Sequence, residues 1–209
     1  MEKKKAVSIA VVRRLPRYYR YLEELLRNNI TKISSKELSD RMGLTASQIR
    51  QDFNCFGGFG QQGYGYNVEL LYSEISEILG ISTVKDAIII GVGNLGRALA
   101  NNRDFFMHGF RLVGAFDVNM DIVGRTVGGQ TVRHSDELEK FLEENHVDMA
   151  ILSVPPTVVR SMVDRLTACG IKAFWNFSNV DIRIEGVMFE NVHLVDSLMT
   201  LHYRMLDKK

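Results

Sequence analysis

Glycines 91, 93 and 96 constrain this chain more than any other feature, because they stand between a continuous apolar run and a helix-forming segment. In "AIIIGVGNLGRAL", residues 87–99, AIII reads as a buried strand, and the glycines open a helix in "LGRALANN". Each glycine has its own physical task. Gly91 makes the turn, Gly93 lets a pyrophosphate approach the backbone, and Gly96 lets helix and strand pack. The first N–H groups of the helix, around Asn94 and Leu95, then face the phosphates. A second apolar run, "FRLVGAFD", ends at Asp117, 21 residues after Gly96, where an acid can accept the ribose hydroxyls. Its charge favours NAD(H) over a 2′-phosphorylated cofactor. The expected cofactor site is therefore Gly91 to Gly96, including Val92, with Asp117 and Val118.

Downstream, helix and strand patterns alternate: a helix in "SDELEKFLEENH" capped by Ser135, a strand in "VDMAILSVP", a helix in "TVVRSMVDRLTACG", a strand in "IKAFWNFS". The alternation predicts a doubly wound parallel sheet of Rossmann type, an α/β fold. Val154, Pro155 and Asn176, with Ser153, would lie at strand ends beside the nicotinamide crevice. The final "LVDSLMTLHYRML" puts Leu194, Leu198, Leu201 and Leu206 at helical spacing, as in a helix that docks on a partner subunit or on its own domain.

A dinucleotide fingerprint that begins so late asks what precedes it. "PRYYRYLEELLRNN" spaces Tyr18, Leu22, Leu25 and Leu26 as a core-facing helix. Ser34 with Glu37, then Thr45 with Gln48, form two capping boxes, and Gly43 ends the first of the two helices. Helix, glycine turn, helix is helix-turn-helix spacing. Ile49 and Phe53 face inward. Ser47, Gln48, Arg50 and Gln51 are left outward on the second helix, with Ser35, Lys36 and Thr45 nearby, and Arg and Gln suit guanine and adenine edges. "FGGFGQQGYGYNV" then reads as a glycine-aromatic wing hairpin, whose Gln61, Gln62 and Tyr64 reach the backbone or minor groove. "ELLYSEISEILG" closes the unit as a helix with Leu70, Leu71, Ile75, Ile78 and Leu79 on its apolar side. This predicts a winged-helix domain over 1–80, a Rossmann domain over 81–192 and a C-terminal helix over 193–209.

Charge supports that division. Residues 1–65 carry 12 Lys and Arg against 6 Asp and Glu, net +6, while the rest carries 14 against 19, net −5. A polyanion would meet the front, not the back. Two isolated cysteines, Cys55 and Cys169, suggest no disulfide framework or metal site and fit a reducing cytoplasm; Cys55 is expected to be a buried small hydrophobe. No apolar run approaches the roughly 18 residues of a membrane span.

The stretches "RLPRYYRYLEEL", "ISSKELSDRMGLTASQIRQDF", "FGGFGQQGYGY", "GVGNLGRALAN", "GAFDVN", "GIKAFWNF" and "ENVHLVDSL" resemble the Rex family of bacterial redox-sensing transcriptional repressors, over residues 13 to 205. The resemblance implies a homodimer that holds operator DNA through its winged helices, senses NADH against NAD⁺, exchanges a C-terminal helix between subunits, and leaves DNA when NADH binds. It also shows departures. The recognition helix commonly reads Arg-Lys-Asp-Leu and here reads Arg50, Gln51, Asp52, Phe53. Asn102 and His193 stand where a tyrosine and an aspartate of the switch are often found, while the arginine that partners that acid is kept as Arg20. A protonated His193 would repel Arg20 and make the switch pH-dependent; a neutral histidine hydrogen-bonded in an interface is the other reading.

Two other functions compete. An oxidoreductase would need an acid or base near the nicotinamide, and only His193, His202, Asp196 and Ser153 offer one, in no recognisable catalytic arrangement. A dimeric adaptor would need neither the basic front nor the wing.

Overall fold

The computed structural model describes residues 7–56, 60–61, 65–102, 104 and 108–206. They form two compact units, Met1–Thr83 and Val84–Lys209.

The first unit orders α1 (Ile9–Val12), α2 (Leu15–Arg27), β1 (Lys32–Ile33), α3 (Ser35–Met42), α4 (Ala46–Asn54), β2 (Gly60–Gln61), β3 (Gly65–Asn67) and α5 (Val68–Leu79). Ser34 and Glu37 complete their capping box, and Gly43, at φ 64°, ends α3 in the left-handed region that favours glycine. Leu15, Tyr18, Leu22, Leu38, Ile49, Phe53, Leu71 and Ile75 make the shared core, each contributing about 1.5–3 kcal/mol by leaving water. The Tyr19 and Tyr72 hydroxyls, 2.6 Å apart, tie α2 to α5. The strands form a small antiparallel sheet in the order β1, β3, β2, which is the wing. Phe53 meets Tyr66 of β3 edge-on at 5.0 Å, so one wing aromatic belongs to the core. Gln62 and Tyr64 lie outside the described residues.

The short helix α1 buries Val11. Two expectations change here. Leu70 is exposed, because α5 turns Val68, Leu71 and Ile75 inward instead. Cys55 is also exposed, since it follows α4 at the C-cap and its thiol donates to the Gln51 carbonyl rather than entering the core.

The second unit is a seven-stranded sheet. β4 (Lys85–Ile90), β5 (Phe110–Asp117), β7 (Gln130–His134), β8 (Met149–Leu152), β9 (Ala173–Asn176) and β10 (Met188–Asn191) run parallel, and β6 (Thr126–Val127) pairs antiparallel at one edge. The order β10, β9, β8, β4, β5, β7, β6 reverses direction at β4, the doubly wound switch point. Ile88, Ile89, Ile90 and Ile151 are buried on both faces of the sheet, as a continuous apolar run requires. Helices α6 (Asn94–Asn101), α7 (Leu138–Glu144) and α8 (Pro156–Ala168) connect the strands. His134, not Ser135, caps the turn into α7: its ring accepts from the Asp136 N–H, while Ser135 is buried. The hairpin of β6 and β7 and the edge strand β10 had no clear signal, being short and only half-buried. The last helix, α9 (Leu194–Leu206), buries none of its residues within the chain.

Candidate functional site

The switch point places the glycine turn against the neighbouring strand end. Ile90 pairs with Leu152, so Gly91 follows β4 where Ser153 follows β8. Gly91 has φ 88°, and a Cβ there would stand 2.4 Å from the Ser153 carbonyl oxygen. A Cβ on Gly96 would stand 2.0 Å from the Gly91 carbonyl oxygen. Both positions need glycine for the fold itself.

Gly93 differs. Its φ of −67° suits any residue, and a Cβ there would meet nothing within 4 Å. The protein does not need the missing side chain; the space in front of the loop does. Among the described residues no side chain caps α6, and the N–H groups at its start find no acceptor within the helix. An open position over a glycine and an uncapped helix end suit a pyrophosphate, and the residues present therefore fit a dinucleotide.

Asp117 ends β5 beside the same loop. Its carboxylate accepts from the Val92 N–H at 2.6 Å and the Asn119 N–H at 2.8 Å, so it shapes the glycine loop before meeting any ribose. Val118 and Met120 next to it are exposed. Val154 and Pro155 stand at the end of β8, and Asn176 at the end of β9. The Asn176 side chain is engaged: its amide donates to the Val180 carbonyl and the Asn191 side chain, and its oxygen accepts from Ser178. It is 1% exposed, which makes it a brace of the strand end, with no free polar atom for a ligand. Asp117→Arg is expected to weaken NADH binding at least about tenfold and to shift preference toward NADPH, because it removes the loop's acceptor and supplies a cation. Isothermal titration with both cofactors checks this, and unchanged selectivity would sink the role of Asp117.

On the first unit, α4 presents exposed Ser47, Arg50 and Gln51, with Thr45 at its N-cap. The Arg50 guanidinium donates to the Ser35 hydroxyl at 3.0 Å, which ties the start of α3 to α4; Lys36 is exposed beside it. Gln61 lies in β2. Gln48 corrects the sequence reading. Thr45 accepts from the Gln48 N–H, but the glutamine side chain does not return the bond; it reaches forward to Asp52. Asp52 is the residue that sequence reasoning missed. Fully buried, it accepts from Arg14 Nε at 2.6 Å and Nη2 at 2.7 Å, from the Tyr18 hydroxyl at 2.8 Å and from Gln48 Nε2 at 2.8 Å. Burial by itself would raise its pKa, but the bonds from Arg14, Tyr18 and Gln48 outweigh burial and hold the carboxyl below its ordinary value. The only sequence signal was a carboxylate on the inward side of an amphipathic helix.

Arg20 is exposed on α2. Asn102 is half-buried and its side chain accepts from the Asp104 N–H. His193 bonds Asp181 at 2.9 Å, and that carboxylate raises its pKa, so the protonated ring arrives with its own counter-charge. Leu198 and Leu201 are exposed on α9. No helix among the described residues is long and apolar enough to cross a membrane.

Comparison with known proteins connects the two units. A family model described as a putative DNA-binding protein N-terminus matches residues 6–54, and one described as a CoA binding domain matches residues 82–180. Redox-sensing transcriptional repressors Rex from Caldanaerobacter subterraneus subsp. tengcongensis and Clostridium tetani are 54% and 51% identical over 210 residues, covering 100% of this chain and 94% and 100% of their own. A solved structure of RSP in complex with beta-NAD+ and operator DNA matches with a TM-score of 0.90 and 51% identity, over 98% of this chain and 94% of that one. RSP in complex with beta-NADH matches with a TM-score of 0.90 and 48% identity, over 98% and 96%.

Proposed function

The chain belongs to the Rex family of redox-sensing transcriptional repressors, and from that premise we propose how its two units divide the work. The first unit holds operator DNA through α4 and the wing, and the second binds NADH or NAD⁺ at the glycine loop. NADH binding releases the DNA. The observation that carries this is the open, uncapped glycine loop on the same chain as a helix-turn-helix with an exposed α4. RSP, a Rex-family repressor, has been solved with beta-NAD+ and operator DNA and with beta-NADH, which supports the same division here.

A sensor of this kind needs no catalytic group. A ligand moves the equilibrium between two conformations only by as much as it prefers one of them, so differential binding suffices. The protein is therefore a regulator rather than an enzyme, acting in the cytoplasm of a bacterium where the operator is. The apolar side chains along α9, Leu198 and Leu201 among them, are covered by a second copy in a homodimer that exchanges this helix. Sedimentation at twice the 23.7 kDa chain mass is expected; a monomer at working concentration would overturn the dimer.

The test of function is fluorescence anisotropy of a labelled fragment from upstream of the gene, titrated with protein and then challenged with each cofactor. NADH should release the fragment, NAD⁺ should not, and affinity should fall steeply with salt as phosphate contacts release counterions. Binding that ignores both cofactors would leave a repressor without a redox signal.

A further inference from the structure

We infer that Gln48 reads an adenine in the major groove, with its amide orientation imposed by Asp52, so that Asp52 is the positioning residue for base choice. This rests on α4 being the recognition helix and deepens that reading. Gln48 occupies the third position of α4, in the turn whose side chains reach base edges.

An ionised carboxylate only accepts hydrogen bonds, so only the NH₂ end of Gln48 can face Asp52 Oδ1 at 2.8 Å. Asp52 cannot turn to suit another partner. Arg14 grips both of its oxygens, and the Tyr18 hydroxyl donates to one of them. Gln48 is left with Oε1, which has no partner among the described residues, and with the second N–H of Nε2. One acceptor beside one donor complements the N6 amino group and N7 of adenine. Guanine offers two acceptors there and would set its O6 against Oε1. A glutamine without such an anchor can turn its amide over and meet either purine.

Operator fragments changed one base pair at a time, bound by the full chain, test this. The position whose preference Gln48→Ala flattens is the one Gln48 reads. Adenine should be favoured there over guanine roughly tenfold or more, as a good bidentate pair discriminates. Replacing that adenine by purine, which lacks the 6-amino group, should cost as much as Gln48→Ala, with the wild-type protein unaltered. In Asp52→Ala the carboxylate that holds the Gln48 NH₂ is gone, so the glutamine amide can turn over and the preference for adenine over guanine at this one position should flatten. A wild-type preference for guanine there, an unchanged base profile in Asp52→Ala, or a Gln48→Ala profile identical to wild type would each overturn the inference. If Asp52→Ala does not fold, the purine substitution decides. Wild-type protein that binds no fragment would overturn the operator reading itself, a result that a changed base profile cannot imitate.

Discussion

Gly93→Ala should fold like the wild type yet lose NADH-dependent release, whereas Gly96→Ala should lose both cofactor binding and stability. The contrast comes from where each new methyl would go. At Gly93 the backbone tolerates alanine, and the methyl enters open space in front of the loop, meeting no protein atom within 4 Å. Only a ligand would notice it. At Gly96 the methyl would stand 2.0 Å from the Gly91 carbonyl oxygen, and Gly91 cannot retreat. Its N–H is bonded to the Phe116 carbonyl at 2.9 Å, and its own side-chain direction is closed by Ser153. Forcing β4 and α6 apart should cost about 1–3 kcal/mol, the usual price of overpacking. NADH affinity should fall more than about tenfold in both variants, equivalent to at least about 1.4 kcal/mol. Both should keep binding operator, because the first unit is untouched. Calorimetric titration with NADH, thermal melting and operator anisotropy separate these outcomes. Wild-type NADH affinity in Gly93→Ala would show that the phosphates lie elsewhere.

The second large effect is expected at Asp52. Asp52→Ala should destabilise the first unit by about 3 kcal/mol, the low end for breaking a buried ion pair, because Arg14 keeps some access to water. The Arg14 side chain is 23% exposed and that of Asp52 is 0%, so the cation can rehydrate while the Tyr18 hydroxyl loses its acceptor inside the core. The double variant Arg14→Met/Asp52→Leu should recover part of the loss, since it leaves no buried group unpaired. Acid should act in the same direction as Asp52→Ala. The folded carboxyl lies below its ordinary 3.8, so its contribution is present above that pH and disappears as pH falls through the folded value. Urea melts of wild type and variants, followed by circular dichroism across acid pH, measure both effects. An Asp52→Ala protein as stable as wild type would mean that the four hydrogen bonds contribute nothing net.

Much of the fold was legible because its signals are local. Gly91, Gly93 and Gly96 declare a turn between strand and helix, Ser34 with Glu37 declares a helix start, and Gly43 a helix end. Each depends on a few neighbouring residues and on backbone geometry that tertiary contacts do not alter. The candidate sites were less legible. Asp117 was read for a ribose and is found shaping the loop through Val92. Gln48 was read as half of a capping box and is found bound to Asp52. Asn176 was read as a crevice residue and is found bracing its strand end. In each case the residue type was informative about chemistry and silent about partner.

By itself, then, the chain's sequence determined the main helices and strands, the division into a helix-turn-helix unit and a doubly wound sheet, and the glycine loop between β4 and α6. Tertiary structure alone decided which polar groups far apart in the chain meet. Asp52 finds Arg14 from 38 residues away, Asp117 finds Val92 from 25, and His193 finds Asp181 from 12. A side chain's donors and acceptors can be read from its letter, but a hydrogen bond requires its partner within about 3 Å. That proximity is created only when the chain closes.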